Sequence, residues 1–482
     1  MARNFGQKLA NFVVETGFQN LPEAVWQEVK HLLLDSIGCA LAGGTCDKGR
    51  ISLALARRSG GVPESSIIGV PDKISSNHAA LANGELINAL DYDPIVVGHA
   101  PGFVIPPVLV LAESVGASGG ELLTSTALGF EIAYRITRAL IPRKIDVDPE
   151  TAAEMGLDRV ALNRYGMDIW RVLASGQSKF IFGGTAGAGK ILKFGEKEML
   201  HALGIAGHFC PVPTTRKWDS TNSPIAMTKY GSAGFTSMAA VTSVQLAQMG
   251  YLGDTTVFDG EYGFWRMYSC DKWDPDNALE KIGEDWLILG CSYKKYPCVQ
   301  AMQGALHAFI RVIEKNKLVP EEIQGVKAFV QPALTHLVLG EELASHIDLQ
   351  FNVPYCFACA AYGIPIGADW QTQDTMHNPR ILEFMKKVSK EAVPDYDGKV
   401  GKEWKGHSDS GAVEVVAKGK IFKEETDYAF ASRRPTEEEL VTKFKQNAQR
   451  VLSRKKVDEA VKCLLDLESL KNVKELMVRV TL

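Results

Sequence analysis

The sequence predicts a mainly α-helical protein with an α+β part. A large all-helical domain forms from both chain ends, 1–274 and 434–482, and a smaller α+β lid domain is inserted at 275–433. Three observations predict this. Apolar residues recur at helical spacing through the first half of the chain, short β-branched runs cut by glycine replace them after about residue 275, and a helix-start signal at Thr436 restores the first texture. A chain of 482 residues is also too long for one hydrophobic core, so two or three domains are expected.

The opening residues, MARNFGQKLANFVVETG, contain neither a long apolar run nor a small-residue cleavage site, and read as the first amphipathic helix of a cytoplasmic protein. Residues 21–42 place Val25, Val29, Leu32, Leu33 and Ile37 on one helical stripe that stops at Gly43-Gly44. Apolar, helix-compatible sequence follows from Asn77 to Leu90 and from Val104 to Val115. Ser118 with Glu121 forms a capping box, and its helix stops before Pro142. Residues 144–172 are more polar and read as an insertion. Segments 184–206 and 230–250 are rich in Ala and Gly, as expected of helices packed closely inside a bundle.

Beyond residue 275, GVKAFV (325–330) reads as a strand, and AVEVVAKGKIFKE (412–424) reads as a hairpin turning near Lys418-Gly419. Helical sequence is expected around 298–316 and 377–391. A second capping box, Thr436 with Glu439, then opens helical sequence to about residue 466.

Composition narrows the function. The chain is 46% apolar and 23% charged with a net charge of −4, and its pI is about 6.2. That balance argues against a nucleic-acid or anionic-membrane partner. No uncharged apolar run reaches the roughly 18 residues that a membrane helix requires. Nine cysteines, odd in number and scattered in apolar contexts, predict reduced and mostly buried thiols. The Cys356-x-x-Cys359 pair has no second pair to complete a zinc site, and its small apolar setting predicts a packed helix. Gly184-x-x-x-x-Gly189-Lys190 imitates a phosphate loop, but Ile191 stands where Ser or Thr would hold magnesium, and no strand precedes the glycines. Nucleotide binding is rejected.

Five segments carry candidate chemistry. Asp91, Tyr92, Asp93 and His99 lie on an irregular stretch between helices and form a plausible proton-transfer site; the alternative is a solvated loop. Lys229 stands before a Gly/Ala-rich apolar helix, either as a surface lysine or as an ammonium that binds a carboxylate or transfers a proton. Arg216 and Lys217 add cations upstream. Lys294 and Lys295, ahead of Tyr296-Pro297, are placed to meet an anion or simply to solvate a turn. Tyr355 opens the helix of the CxxC pair, as a hydrogen-bond donor or as an ordinary boundary tyrosine.

In this order the segments resemble the MmgE/PrpD family, which includes 2-methylcitrate dehydratase, cis-aconitate decarboxylase and iminodisuccinate epimerase. The likeness runs through LLLDSIGCALAGG, NGELINALDYD, HAPGFVIPPVLVLAE, MTKYGSAGFTSMAAV, YKKYPCVQA and FNVPYCFACAAYG to PTEEELVTKFKQNAQRVL. The resemblance implies a helical domain with an α+β lid, a homodimer, and an inter-domain active site for a small di- or tricarboxylate, working without metal or organic cofactor. It implies Asp91, His99, Lys229 and Tyr355 as catalytic residues and Lys294 as substrate-binding; from the residues themselves, Arg216, Lys217 and Tyr92 are further candidates for binding. The chain also departs from the family. Pro94-Ile95 occupies the place of a family threonine, and family histidines fall at Gln177-Ser178, Ser232 and Gln303.

The family's dehydrations, decarboxylations and epimerisations share one difficulty: negative charge develops beside a carboxylate. Lysines stabilise such charge, and an imidazole suits proton transfer at neutral pH. A lyase is expected first, then an epimerase, with a non-catalytic carboxylate binder as the rival class.

Overall fold

A computed structural model describes residues 4–95, 98–142, 176–210, 224–229, 231–268, 270–335, 343–395, 399, 410–426 and 434–482. The polar segment at 144–172 and the cations Arg216 and Lys217 lie outside the described residues.

The chain opens with α1 (Phe5–Glu15), capped by an Asn4/Gln7 box, and α2 (Glu23–Gly43). From Leu32 to Gly43 every residue of α2 is buried, so this helix runs through the middle of the molecule rather than along its surface. Then come α3 (Asp47–Ser59), α4 (Ser76–Asn88), α5 (Pro101–Val115) and α6 (Gly119–Ala139). Pro101 occupies the first turn of α5, where a missing N–H is harmless, so the Pro101-Gly102 pair starts a helix rather than breaking one. Ser118 and Glu121 cap α6 reciprocally, as their spacing predicts.

The glycine-rich stretches form α7 (Ile181–Ile191), α8 (Glu196–Phe209) and α9 (Ala233–Gln248). Close approach explains their composition. A Cβ at Gly183 would lie 2.3 Å from the Gly129 carbonyl oxygen of α6, and one at Gly234 would lie 2.1 Å from the Leu81 oxygen of α4. Residues 184–206 divide between two helices: Lys193 adopts a left-handed φ of 59°, and the second helix starts at Glu196 behind Gly195. The imitation phosphate loop lies inside α7, and Lys190 donates to the Val14 carbonyl at 2.8 Å.

The second texture contains α10 (Gln303–Asn316), β1 (Ile323–Val330), α11 (His346–Phe351), α12 (Val353–Ala361), α13 (Pro379–Met385), β2 (Val388–Ala392), β3 (Gly411–Ala417) and β4 (Lys420–Thr426). The sheet order is β2-β1-β3-β4, with β1 and β2 parallel and the other pairs antiparallel. Lys418 and Gly419 both take positive φ, 51° and 67°, which makes the two-residue hairpin turn. The expected helix over 377–391 is half right. The chain stays helical to Met385, then Val388 pairs with Val326 as a strand, because pairing with β1 overrides an ambiguous polar pattern. Cys356 and Cys359 are buried in α12, and the Cys356 thiol donates to the Leu349 carbonyl.

The C-terminal α14 (Glu437–Ala448) carries the Thr436/Glu439 box, and α15 (Arg454–Leu465) restarts behind Ser453, so the expected helical sequence is made of two helices. Helix α14 packs against α2, with Phe444 over Gly38. Among the described residues no helix is long and apolar enough to cross a membrane.

Candidate active site

The site begins where α4 ends. After Asn88 the chain turns through Asp91, whose φ of 54° is left-handed, a conformation that aspartate tolerates better than most residues. This turns a fully buried carboxylate toward two lysines remote in sequence. Its Oδ1 lies 3.1 Å from Lys229 Nζ and its Oδ2 lies 2.6 Å from Lys294 Nζ. Each ammonium also donates to backbone of the same corner, Lys229 to the Asn88 carbonyl at 3.2 Å and Lys294 to the Asp91 carbonyl at 2.8 Å. Lys229 is itself left-handed, with φ of 46°. Such backbone persists where surrounding structure holds it in place, and here it occurs at both ends of one ion pair.

His99 closes the corner from the other side. Its Nδ1 lies 3.0 Å from Asp93 Oδ1 and its Nε2 lies 3.6 Å from Asp91 Oδ1, so the ring stands between two carboxylates. The Asp93 partner fixes the tautomer: Nδ1 carries the proton and Nε2 is the basic nitrogen. Asp93 stood in the Asp-Tyr-Asp triplet, but the spacing alone did not show which aspartate would orient the imidazole.

Burial would push the Asp91 carboxyl up, yet Lys229, Lys294 and His99 outweigh it and hold it well below the usual carboxylate range. Asp93 is likewise pushed up by burial and held down on balance, chiefly by His99. Desolvation lowers His99 below its ordinary value, although Asp93 opposes it. Lys229, lowered mainly by burial against the pull of Asp91, falls to about 8.

A further layer fixes these groups. Lys48 pairs with Glu85 at 3.0 Å and donates to Asn88 Oδ1 at 3.1 Å. Lys443 of α14 pairs with Asp35 of α2 at 2.8 Å. It also donates to the Tyr92 and Lys294 carbonyls at 2.8 and 3.0 Å, tying both site segments to the bundle. Its role escaped the sequence reading because Lys443 is one charge among many in its helix. Pro94-Ile95 has a structural task. Ile95 exchanges two backbone hydrogen bonds with Ser292, at 2.8 and 2.7 Å, and so stitches the Asp91 corner to the Lys294 segment.

Gln177, Ser232 and Gln303, where the sequence resemblance leads one to expect histidines, are also braces. Gln177 accepts from the His99 N–H at 2.9 Å. Ser232 caps α9 and donates to Glu85 at 2.8 Å. Gln303 holds the turn after Lys294 through the backbone of Tyr296 and Cys298.

The structure therefore brings Asp91, His99, Lys229 and Lys294 together. Tyr92 lies within the same corner, but its ring lies 3.8 Å beneath the Lys443 ammonium and its hydroxyl donates to the Lys295 carbonyl at 3.1 Å. Tyr355 is not brought to the lysines by any described hydrogen bond. Its hydroxyl donates to the Trp370 carbonyl at 2.5 Å, and burial pushes the phenol far up. His346, absent from the sequence-based candidates, is buried close to the charges of Lys229 and Lys48. Among the described residues no group of three or more His, Cys, Asp or Glu is arranged to hold a metal ion.

Fold and corner together define a two-domain, mainly helical protein built around a buried cluster of carboxylates, lysines and an imidazole. The chain belongs to the MmgE/PrpD family. The family's N-terminal domain matches residues 7–276 and its C-terminal domain matches residues 296–467. The C-terminal match extends through α14, the helix that packs on α2.

Relatives include the human cis-aconitate decarboxylase, 22% identical over 98% of this chain and 93% of that protein. The mouse cis-aconitate decarboxylase is 21% identical over 98% and 92%. A cis-aconitate decarboxylase-like protein of Aspergillus oryzae is 26% identical over 65% of this chain and 61% of its own length.

Proposed function

We propose that the protein is an enzyme that moves a proton at carbon next to a carboxylate in a small di- or tricarboxylate, as a lyase of the decarboxylase or dehydratase kind. The observation that carries this is the convergence of Asp93, His99, Asp91, Lys229 and Lys294 in one buried corner.

In this reading His99 Nε2 is the proton carrier. Asp93 holds its tautomer, and an imidazolium formed there is stabilised by both carboxylates. Asp91 remains ionised and is a poor base. Its part is to aim the two ammonium groups, which bind substrate carboxylate and stabilise the enolate-like charge as it develops. Tyr355 and Tyr92 support the walls. The relatives named for cis-aconitate decarboxylation favour a tricarboxylate. The proposal extends to a homodimer, which sedimentation would test, and to the sheet-bearing part acting as a lid.

A second reading, epimerisation, is favoured by Lys229. An ammonium that titrates near 8 is able to act as a second acid–base group beside His99. Incubation with cis-aconitate, citrate-type hydroxy acids and chiral amino- or hydroxy-dicarboxylates, followed by product analysis, separates the readings. Carbon dioxide or a new olefin supports the lyase, and inversion without net product supports the epimerase. Binding without turnover of any of them contradicts the enzymatic reading.

A further inference from the structure

His346 is 1% exposed, and neither ring nitrogen has a hydrogen-bond partner among the described residues. A buried polar group left so is uncommon and points to something that the site has yet to receive. Its helix, α11, is clamped between the two segments that carry the cluster. Asp348 accepts the Ile225 N–H at 2.8 Å, four residues before Lys229. Gln350 donates to the Ala89 carbonyl at 2.8 Å, two residues before Asp91. His346 stands four residues before Gln350, on the same face of this helix.

The charges acting on His346 are those of Lys229, then Asp47, Lys48 and Arg50, and apart from Asp47 they are cationic. An unpartnered imidazole beside lysines suits an anion. Water alone would satisfy the ring equally at any buried position, whereas this ring lies within the field of Lys229, one of the two lysines that hold Asp91.

We infer that His346 is a substrate-recognition residue: its ring N–H donates to a second carboxylate of the ligand, one that Lys229 and Lys48 also attract, so that the site requires at least two carboxylates. This rests on reading the corner as a polycarboxylate site and deepens it. In the free protein burial and the lysines keep His346 neutral, at about 4, and a bound carboxylate reverses that balance and raises it.

The test uses tricarballylate, succinate and butyrate as probes, with the full-length protein, His346→Phe and Lys229→Met. Calorimetry on His346→Phe is expected to show tricarballylate and succinate weakened roughly tenfold or more, the size of a lost hydrogen bond to a charged group. Butyrate, with one carboxylate, is expected to bind weakly to wild type and variant alike. Unchanged tricarballylate binding in His346→Phe, with weakening in Lys229→Met, overturns the inference and leaves the site reading intact. A wild-type protein that binds none of the three acids overturns both. Should the variant fold poorly, ¹⁵N-histidine NMR of the wild type decides. The His346 ring signals shift and its pKa rises on saturation with tricarballylate, or they stay put and the inference falls.

Discussion

The hairpin β3–β4 and the corner around Asp91 both pair lysines with carboxylates, and they do so in opposite surroundings. On the sheet, Lys423 meets Glu414 at 2.5 Å and Lys327 meets Glu391 at 2.8 Å, with side chains open to solvent. Such pairs contribute little to stability because water already solvates both partners. In the corner, Lys229 and Lys294 share the Asp91 carboxylate with side chains at most 1% exposed. Desolvating three charges opposes folding, and the attraction between them repays it only while every partner stays in place. The difference teaches that ion-pair geometry alone says little: buried pairs that perturb titration in a family of carboxylate-related proteins are candidates for chemistry, and the exposed ladder is ordinary surface.

That contrast is broken most directly at Asp91. Asp91→Ala leaves two buried ammonium groups without their counter-charge, and urea unfolding should show a loss of about 3–5 kcal/mol together with lost turnover. An unchanged midpoint would mean that the corner is as forgiving as the hairpin. Asp91 also fixes a sign with pH. Its folded pKa is depressed, so its stabilisation is present above the unfolded value near 3.9 and is lost as pH falls through the lower folded value. Acid unfolding followed by circular dichroism should find that Asp91→Ala has lost this component.

Next in size, His99→Gln is expected to lower turnover by about 10²–10⁴-fold with the unfolding midpoint nearly unchanged. A variant that instead unfolds without slowing turnover would make His99 structural. The pH–rate profile should fall on the acid side below His99's ordinary value of about 6.5, because burial lowers it and protonation removes the base. It should fall on the alkaline side as Lys229 loses its proton near 8, and Lys229→Arg should remove that alkaline limb.

Gly98→Ala probes the approach to His99. At φ of 114° a Cβ is strained and would lie 2.9 Å from Gln177 Nε2, so a loss of about 1–3 kcal/mol and a slower enzyme are expected. At the other extreme, Lys423→Gln on the hairpin should leave both melting temperature and turnover unchanged. A measurable loss there would blur the comparison.

Much of the fold was legible because its signals are local. The capping boxes at Ser118 and Thr436 and the Lys418-Gly419 turn depend on neighbours within a few residues. The glycine-rich helices were legible as close-packed, although their contacts are remote. Strand β2 was not, since a short polar run after Met385 fits helix or strand and only pairing with β1 decides. In the site, Asp91, His99, Lys229 and Lys294 stood out as charged residues against apolar helix ends, and their order along the chain matched a family pattern. His346 and Lys443 gave no such signal: one is a lone histidine in a short helix, the other one charge among many. Their neighbours in space lie more than a hundred residues away, and only the folded chain supplies them.

The central claim is that His99 carries the proton in a corner where Lys229 and Lys294 hold the charge. Proton NMR in deuterated water, comparing the wild type with His99→Gln on cis-aconitate and the dicarboxylate panel, tests it most directly. The account predicts deuterium at the carbon beside a carboxylate, in substrate or product, for the wild type, and its near-disappearance in the variant. Deuterium entering at the same rate in both proteins would contradict it.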